Sequence, residues 1–119
     1  MDNKHLKNLI VDYIENNKGT SFVELESIFV REGYDYKGQV AFANAEYSNI
    51  LYWSGWNQKA MDIIIELIDD KVIDIKQCLE EVYLINGKCL KYPLPKNNIS
   101  DEKEYWIPVV FNSVKEAIK

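Results

Sequence analysis

The chain has 119 residues, 47% of them hydrophobic and 28% charged, with a net charge of −5. That is the size and balance of one globular domain, which excludes a disordered or fibrous segment. The longest apolar stretch, Tyr105 to Phe111, is too short to span a bilayer, and Met1-Asp2-Asn3-Lys4 lacks the apolar run of a secretory signal. The expectation is a cytoplasmic protein without membrane contact, in which Cys78 and Cys89 stay reduced. No second cysteine pair or histidine cluster joins them, so neither a metal nor any other cofactor is expected.

Leu6, Leu9, Ile10, Tyr13 and Ile14 recur at helical spacing and predict a first helix over about 4–18, stopped by Gly19. Ser21 and Glu24 form a capping box that opens a second helix. Phe22, Leu25, Ile28 and Phe29 give its buried face, and Gly33 ends it. The short Gly19-Thr20 connection makes the two helices pack at an angle. From Gly33 to Ser48 no firm period appears, and a short helix near Gln39–Ala45 is the best reading. Asn49–Trp53 reads as a strand, closed by Ser54-Gly55.

Asn57 is placed to cap a third helix running from Gln58 to Asp70. Its apolar set, Ala60, Met61, Ile63, Ile64, Ile65, Leu67 and Ile68, fills an arc of roughly 200°, which predicts cover on more than one side. Val72–Ile75 and Val82–Ile85 then read as strands. Asn86-Gly87 between Val82–Ile85 and Cys89–Tyr92 predicts a two-residue β-hairpin. Pro93-Leu94-Pro95 ends the strand pattern and Lys96–Glu104 is a polar connector. Tyr105–Phe111 returns to the core, and Asn112 onward reads as a terminal helix through Ser113 and Glu116.

The order helix, helix, strand, helix, β-hairpin predicts an α+β, winged-helix-like single domain over residues 1–119. Its core covers about 4–92, with a C-terminal strand and tail extension over 93–119.

Catalytic equipment is sparse. His5 is the only histidine and lies near the chain start, where a solvated residue is the plainer reading. Gly33 and Gly38 make no phosphate loop, because the Gly-Lys-Ser/Thr ending is absent. Asp69-Asp70 and Glu80-Glu81 are sequence neighbours whose side chains point apart, so they read as solvated charges. No catalytic residue is assigned and an enzyme is not expected.

Tyr34, Tyr36, Tyr47, Tyr52, Trp53 and Trp56 crowd one stretch. Core assembly explains them most simply; a protein-contact surface built on Tyr52, Trp53 and Trp56 is the functional alternative. A recognition helix entering the major groove needs basic or amide side chains. Here the third helix offers Asp62, Glu66, Asp69 and Asp70 against Lys59, which disfavours nucleic acid and makes Asp62 and Glu66 candidate protein contacts. Lys71, Lys76, Lys88 and Lys91 are the candidate nucleic-acid contacts if the hairpin is a wing, although edge lysines often serve only as solvated gatekeepers.

The segments Ser48-Asn49-Ile50-Leu51-Tyr52-Trp53, Tyr83-Leu84-Ile85-Asn86-Gly87 and Tyr105-Trp106-Ile107-Pro108-Val109-Val110-Phe111 together resemble a group of small uncharacterised proteins. These come from prophages and pathogenicity islands of low-GC Gram-positive bacteria. The likeness spans about Ser48–Phe111 and rests on aromatic and apolar positions. It implies a mobile-element setting rich in small non-enzymatic regulators, and no activity, cofactor or catalytic residue. The combined expectation is a regulatory or interaction module with a protein partner, a second copy being one option. A DNA-binding regulator of winged helix-turn-helix type is the alternative.

Overall fold

The first two helices form where their local signals put them. In the computed structural model, which describes residues 3–95 and 103–114, α1 is Asn3–Asn16 and α2 is Phe22–Arg31. Leu6, Ile10 and Ile14 make one fully buried stripe along α1. Ser21 caps α2 reciprocally: its Oγ accepts from the Glu24 N–H at 3.2 Å, and the Glu24 carboxylate accepts from the Ser21 N–H at 2.8 Å.

The segment expected to hold a short helix is a strand instead. β1, Lys37–Ala43, pairs antiparallel with β2, Ile50–Trp56. The turn between them explains the correction. Asn44 Oδ1 accepts from the N–H groups of Glu46 and Tyr47 at 2.8 and 3.1 Å, folding the chain back on itself. Phe42 then packs edge-on against Phe22 and Tyr52.

β1 begins irregularly, with Lys37 and Val40 both opposite Trp56. Gly38 sits at the closest point of that irregularity. A Cβ there would stand 2.6 Å from Asn57 Cα and 2.8 Å from the Trp56 carbonyl oxygen. Both obstacles are backbone, so they cannot swing aside. Gly38→Ala should therefore cost about 1–3 kcal/mol in urea unfolding, as overpacking does; an unchanged midpoint would place β1 elsewhere.

α3, Gln58–Asp69, begins at Asn57, whose Oδ1 accepts from the Ala60 N–H at 2.8 Å. Ala60, Met61, Ile63, Ile64 and Leu67 are buried, while Ile65 and Ile68 are partly covered. The wide apolar arc is thus used on its central part and shielded at its margin. β3, Ile73–Gln77, follows at once.

The expected Asn86-Gly87 hairpin does not form. Residues Glu81–Asn86 are a short helix, α4, and Gly87 ends it in the left-handed conformation with φ 81°. Cys89–Tyr92 is not a strand. The physical reason is the anchoring of Tyr83, whose hydroxyl donates to the Val109 carbonyl at 2.6 Å and accepts from the Phe22 N–H at 3.1 Å. With Tyr83 turned into the core, a helical backbone satisfies its own groups through Tyr83 N–H to Glu80 O and Leu84 N–H to the same oxygen.

β4, Tyr105–Trp106, adds to β2 in parallel, giving a three-stranded sheet in the order β1-β2-β4. β5, Val109–Ser113, pairs antiparallel with β3 from Ile73↔Ser113 to Gln77↔Val109. Its other edge bridges Thr20 through Phe111. Asn112 and Ser113 extend the strand, and the helical conformation expected from Asn112 onward begins at Val114; Glu116 and most of the polar connector lie outside the described residues. The architecture is a mixed α+β fold, with four helices and two small sheets among the described residues. None of these helices is long and apolar enough to cross a membrane.

The core gathers around Phe22. Its ring stacks on Trp53 at 5.6 Å and meets Trp56 and Phe111 edge-on at 5.4 and 4.8 Å. One side chain at the start of α2 thereby joins β2 and β5.

Candidate functional site

Glu26 lies on the buried face of α2, between Leu25 and Ser27, and its side chain is only 7% exposed. A carboxylate in that position needs hydrogen bonds on every side. Two come from β2. Trp53 and Trp56 are three residues apart, a spacing that a regular strand would send to opposite faces. Gly55 breaks the alternation with φ 97°, a conformation that a side chain resists, and both indoles end on the inner side. Their Nε1–H groups donate to Glu26 Oε2 at 2.9 and 2.8 Å.

The other carboxylate oxygen faces outward. Glu26 Oε1 takes Lys88 Nζ at 2.7 Å and a weaker Tyr36 hydroxyl contact at 3.5 Å. The Lys88 ammonium also stands over the Trp53 ring, 5.7 Å from its centroid, while the lysine side chain stays 50% exposed. Lys88 follows Gly87, so this pair ties the end of α4 to the middle of α2. Asn86 adds a second tie, donating from Nδ2 to Ser21 Oγ at 3.1 Å. Among the described residues no buried side-chain N or O atom lacks a partner.

Burial drives the Tyr83 phenol far above its ordinary value of 10.0, with nearby Cys78, Glu24 and Glu26 adding to the rise. Burial also raises Tyr36, reinforced by the charge of Glu26. A phenol whose folded value exceeds its unfolded one stabilises the fold fully below pH ~10, and that contribution is lost as pH rises. Tyr83→Phe should cost about 1–3 kcal/mol at neutral pH, since the Val109 carbonyl and Phe22 N–H lose their partner. The gap between wild type and variant should then shrink above pH ~10 in melting curves. A gap that widens with alkalinity would contradict this placement of Tyr83.

The expected site residues do not come together. Trp53 and Trp56 are fully buried donors to Glu26, which fits the core reading of these aromatics and leaves neither on the surface for the alternative of a protein contact. Tyr52 is half-buried, its hydroxyl accepting from Asn44 Nδ2 at 2.9 Å. Asp62 is half-buried and accepts from Gln58 Nε2 at 2.7 Å. Glu66 is exposed and pairs with Lys7 of α1. Lys71, Lys76 and Lys91 are exposed, whereas Lys88 is committed to Glu26. His5 is exposed and faces Glu32 at 3.7 Å.

What the sequence reading missed is the outer face of α4. Leu79, Leu84 and Ile85 are 71%, 57% and 87% exposed, close together in the chain. Leu79, two residues before α4, also rims a cleft of about 170 Å³ whose wall mixes polar Gln77 and Glu80 with Leu94, Trp106, Ile107 and Pro108. The signal was available: in a helix, Tyr83 and Leu84-Ile85 point to different sides, and only one side can be core.

Fold and site together define a mixed α+β protein organised on a buried carboxylate, with an apolar helix face left uncovered. No protein family, curated protein or solved structure matches the chain. Among the described residues no group of three His, Cys, Asp or Glu side chains is placed to hold a metal ion.

Proposed function

We propose that the protein is a non-catalytic regulatory or interaction module of a mobile genetic element, working in the cytoplasm and binding a protein through the outer face of α4. The observation that carries this reading is the exposure of Leu84 and Ile85 on α4, at 57% and 87%, and of Leu79 two residues before it, at 71%, which also rims a cleft. Contiguous exposed apolar side chains mark interaction sites, and Leu84 and Ile85 are neighbours on α4. Tyr83 and Asn86 pin the α4 segment from behind, so its outward side chains are presented with little ordering left to do on binding.

The scaffold reads as a winged-helix variant. In support, α1, α2 and α3 precede the antiparallel β3–β5 ladder in chain order, as helices precede a wing, with α4 and β4 inserted between its two strands. A DNA-binding regulator is the second reading, favoured by exposed Lys71, Lys76 and Lys91. Against it stand exposed Glu66, Asp69 and Asp70 on and just after α3, which repel phosphates.

The test compares wild type with Leu84→Asp/Ile85→Asp as bait in the native cell, after equal melting of both is verified. A protein captured by wild type and lost from the variant supports the reading; one retained by both places its surface elsewhere. A duplex titration runs beside it. Binding weaker than roughly 10⁻⁴–10⁻⁶ M at physiological salt is expected. Tighter binding that Lys76→Ala/Lys91→Ala removes would promote the DNA reading.

A further inference from the structure

Lys88 is held by groups that suit any primary ammonium. Glu26 Oε2 is fixed from within by two indoles, which leaves Oε1 aimed outward whatever fills that side. The Trp53 ring lies beside it and offers the face that cations prefer. A groove of about 320 Å³ runs along α2, lined by Val23, Ser27, Val30 and Tyr36, and Glu26 forms part of its wall. Arg31 also lines the groove, with its guanidinium 3.7 Å from Glu32. The occupant is half exposed, on the residue after a left-handed glycine, and can return to water, whereas Glu26 stays buried and is left uncompensated unless another cation takes its place. The receptor half of the pair is therefore rigid and the occupant half is exchangeable.

We propose that Glu26, Trp53 and Tyr36 form a recognition site for a primary ammonium, filled in cis by Lys88 and in trans by a ligand cation entering along α2. Lysine side chains of proteins and free alkylamines share this chemistry. The site stands on the α2 side of the molecule and does not depend on what binds the outer face of α4.

The experiment removes the cis occupant and supplies it from solution. Lys88→Met keeps the apolar stem and deletes the charge; Lys88→Ala deletes both, and near-UV dichroism reports whether each folds. Melting temperature and tryptophan emission are followed with n-butylammonium chloride, with tetramethylammonium chloride, and with sodium chloride at equal ionic strength. Lys88→Met should melt below wild type and recover at least half of the loss with n-butylammonium alone. Wild type should respond less, because its site is filled. Glu26→Gln/Lys88→Met should not recover.

No recovery, equal recovery with tetramethylammonium, or recovery that survives Glu26→Gln would overturn the proposal. Nα-acetyl-lysine N-methylamide separates the two sources. Recovery with it assigns the site to lysine side chains, and recovery with n-butylammonium only assigns it to free amines.

Discussion

Replacing Glu26 with alanine should lower the free energy of unfolding by about 3–5 kcal/mol, the range for removing one partner of a buried charged network. The substitution strips the acceptor from two buried indoles whose N–H groups have nowhere else to go. Each orphaned donor costs about 1–3 kcal/mol, and the lost packing of the side chain adds to that. Lys88, half exposed, returns to water at little cost. Glu26→Gln should be milder, since an amide oxygen in the place of Oε2 can still accept from both indoles. Urea unfolding measures both. A loss under about 1 kcal/mol for the alanine variant would mean that the indoles find water or that the carboxylate is not their acceptor.

Ile64→Ala carries the next largest expectation, a loss of roughly 2–5 kcal/mol, as for other large-to-small changes in filled cores. Ile64 is fully buried on α3, flanked by buried Met61, Ile63 and Leu67. The helix is fixed by its cap at one end and runs straight into β3 at the other, so it cannot slide to close the void. The denaturant midpoint should fall while the slope of the transition stays unchanged. A midpoint equal to wild type would put Ile64 on the surface.

Local signals carried the helices; distant partners decided the rest. The Ser21–Glu24 capping box and the Asn57 cap were legible because both ends of each bond lie within three residues. The Asn86-Gly87 pair misled because a left-handed glycine serves a hairpin turn and a helix C-cap alike, and Val82–Ile85 is short enough to suit either. Choosing between them required Val109 and the Phe22 N–H, the two partners of Tyr83, which lie 26 and 61 positions away. The parallel β2–β4 pairing is equally remote from any local pattern.

Glu26 falls on the buried face set by Phe22, Leu25 and Phe29, but what a carboxylate does there depends on β2, which no local pattern shows. One clue was present, since two buried indoles near each other call for an acceptor. Gly55 was read as the end of a strand, whereas its backbone conformation is what lets that strand aim both indoles at one carboxylate.

β5 is the last strand described, and two distant parts of the chain, β3 and the Gly19–Phe22 stretch, converge on it. It pairs with β3, bridges Thr20 and buries Phe111 against Phe22, while Asn112 Oδ1 receives the Gly19 N–H at 3.0 Å. During synthesis the helices emerge first and must wait, with the Phe22 face uncovered, until this strand leaves the ribosome. A message truncated between α4 and Val109 would yield a chain with all four of these helices intact and no way to close. Such a product should be sticky and short-lived in the cell, which makes late frameshifts and nonsense mutations nearly as damaging as early ones.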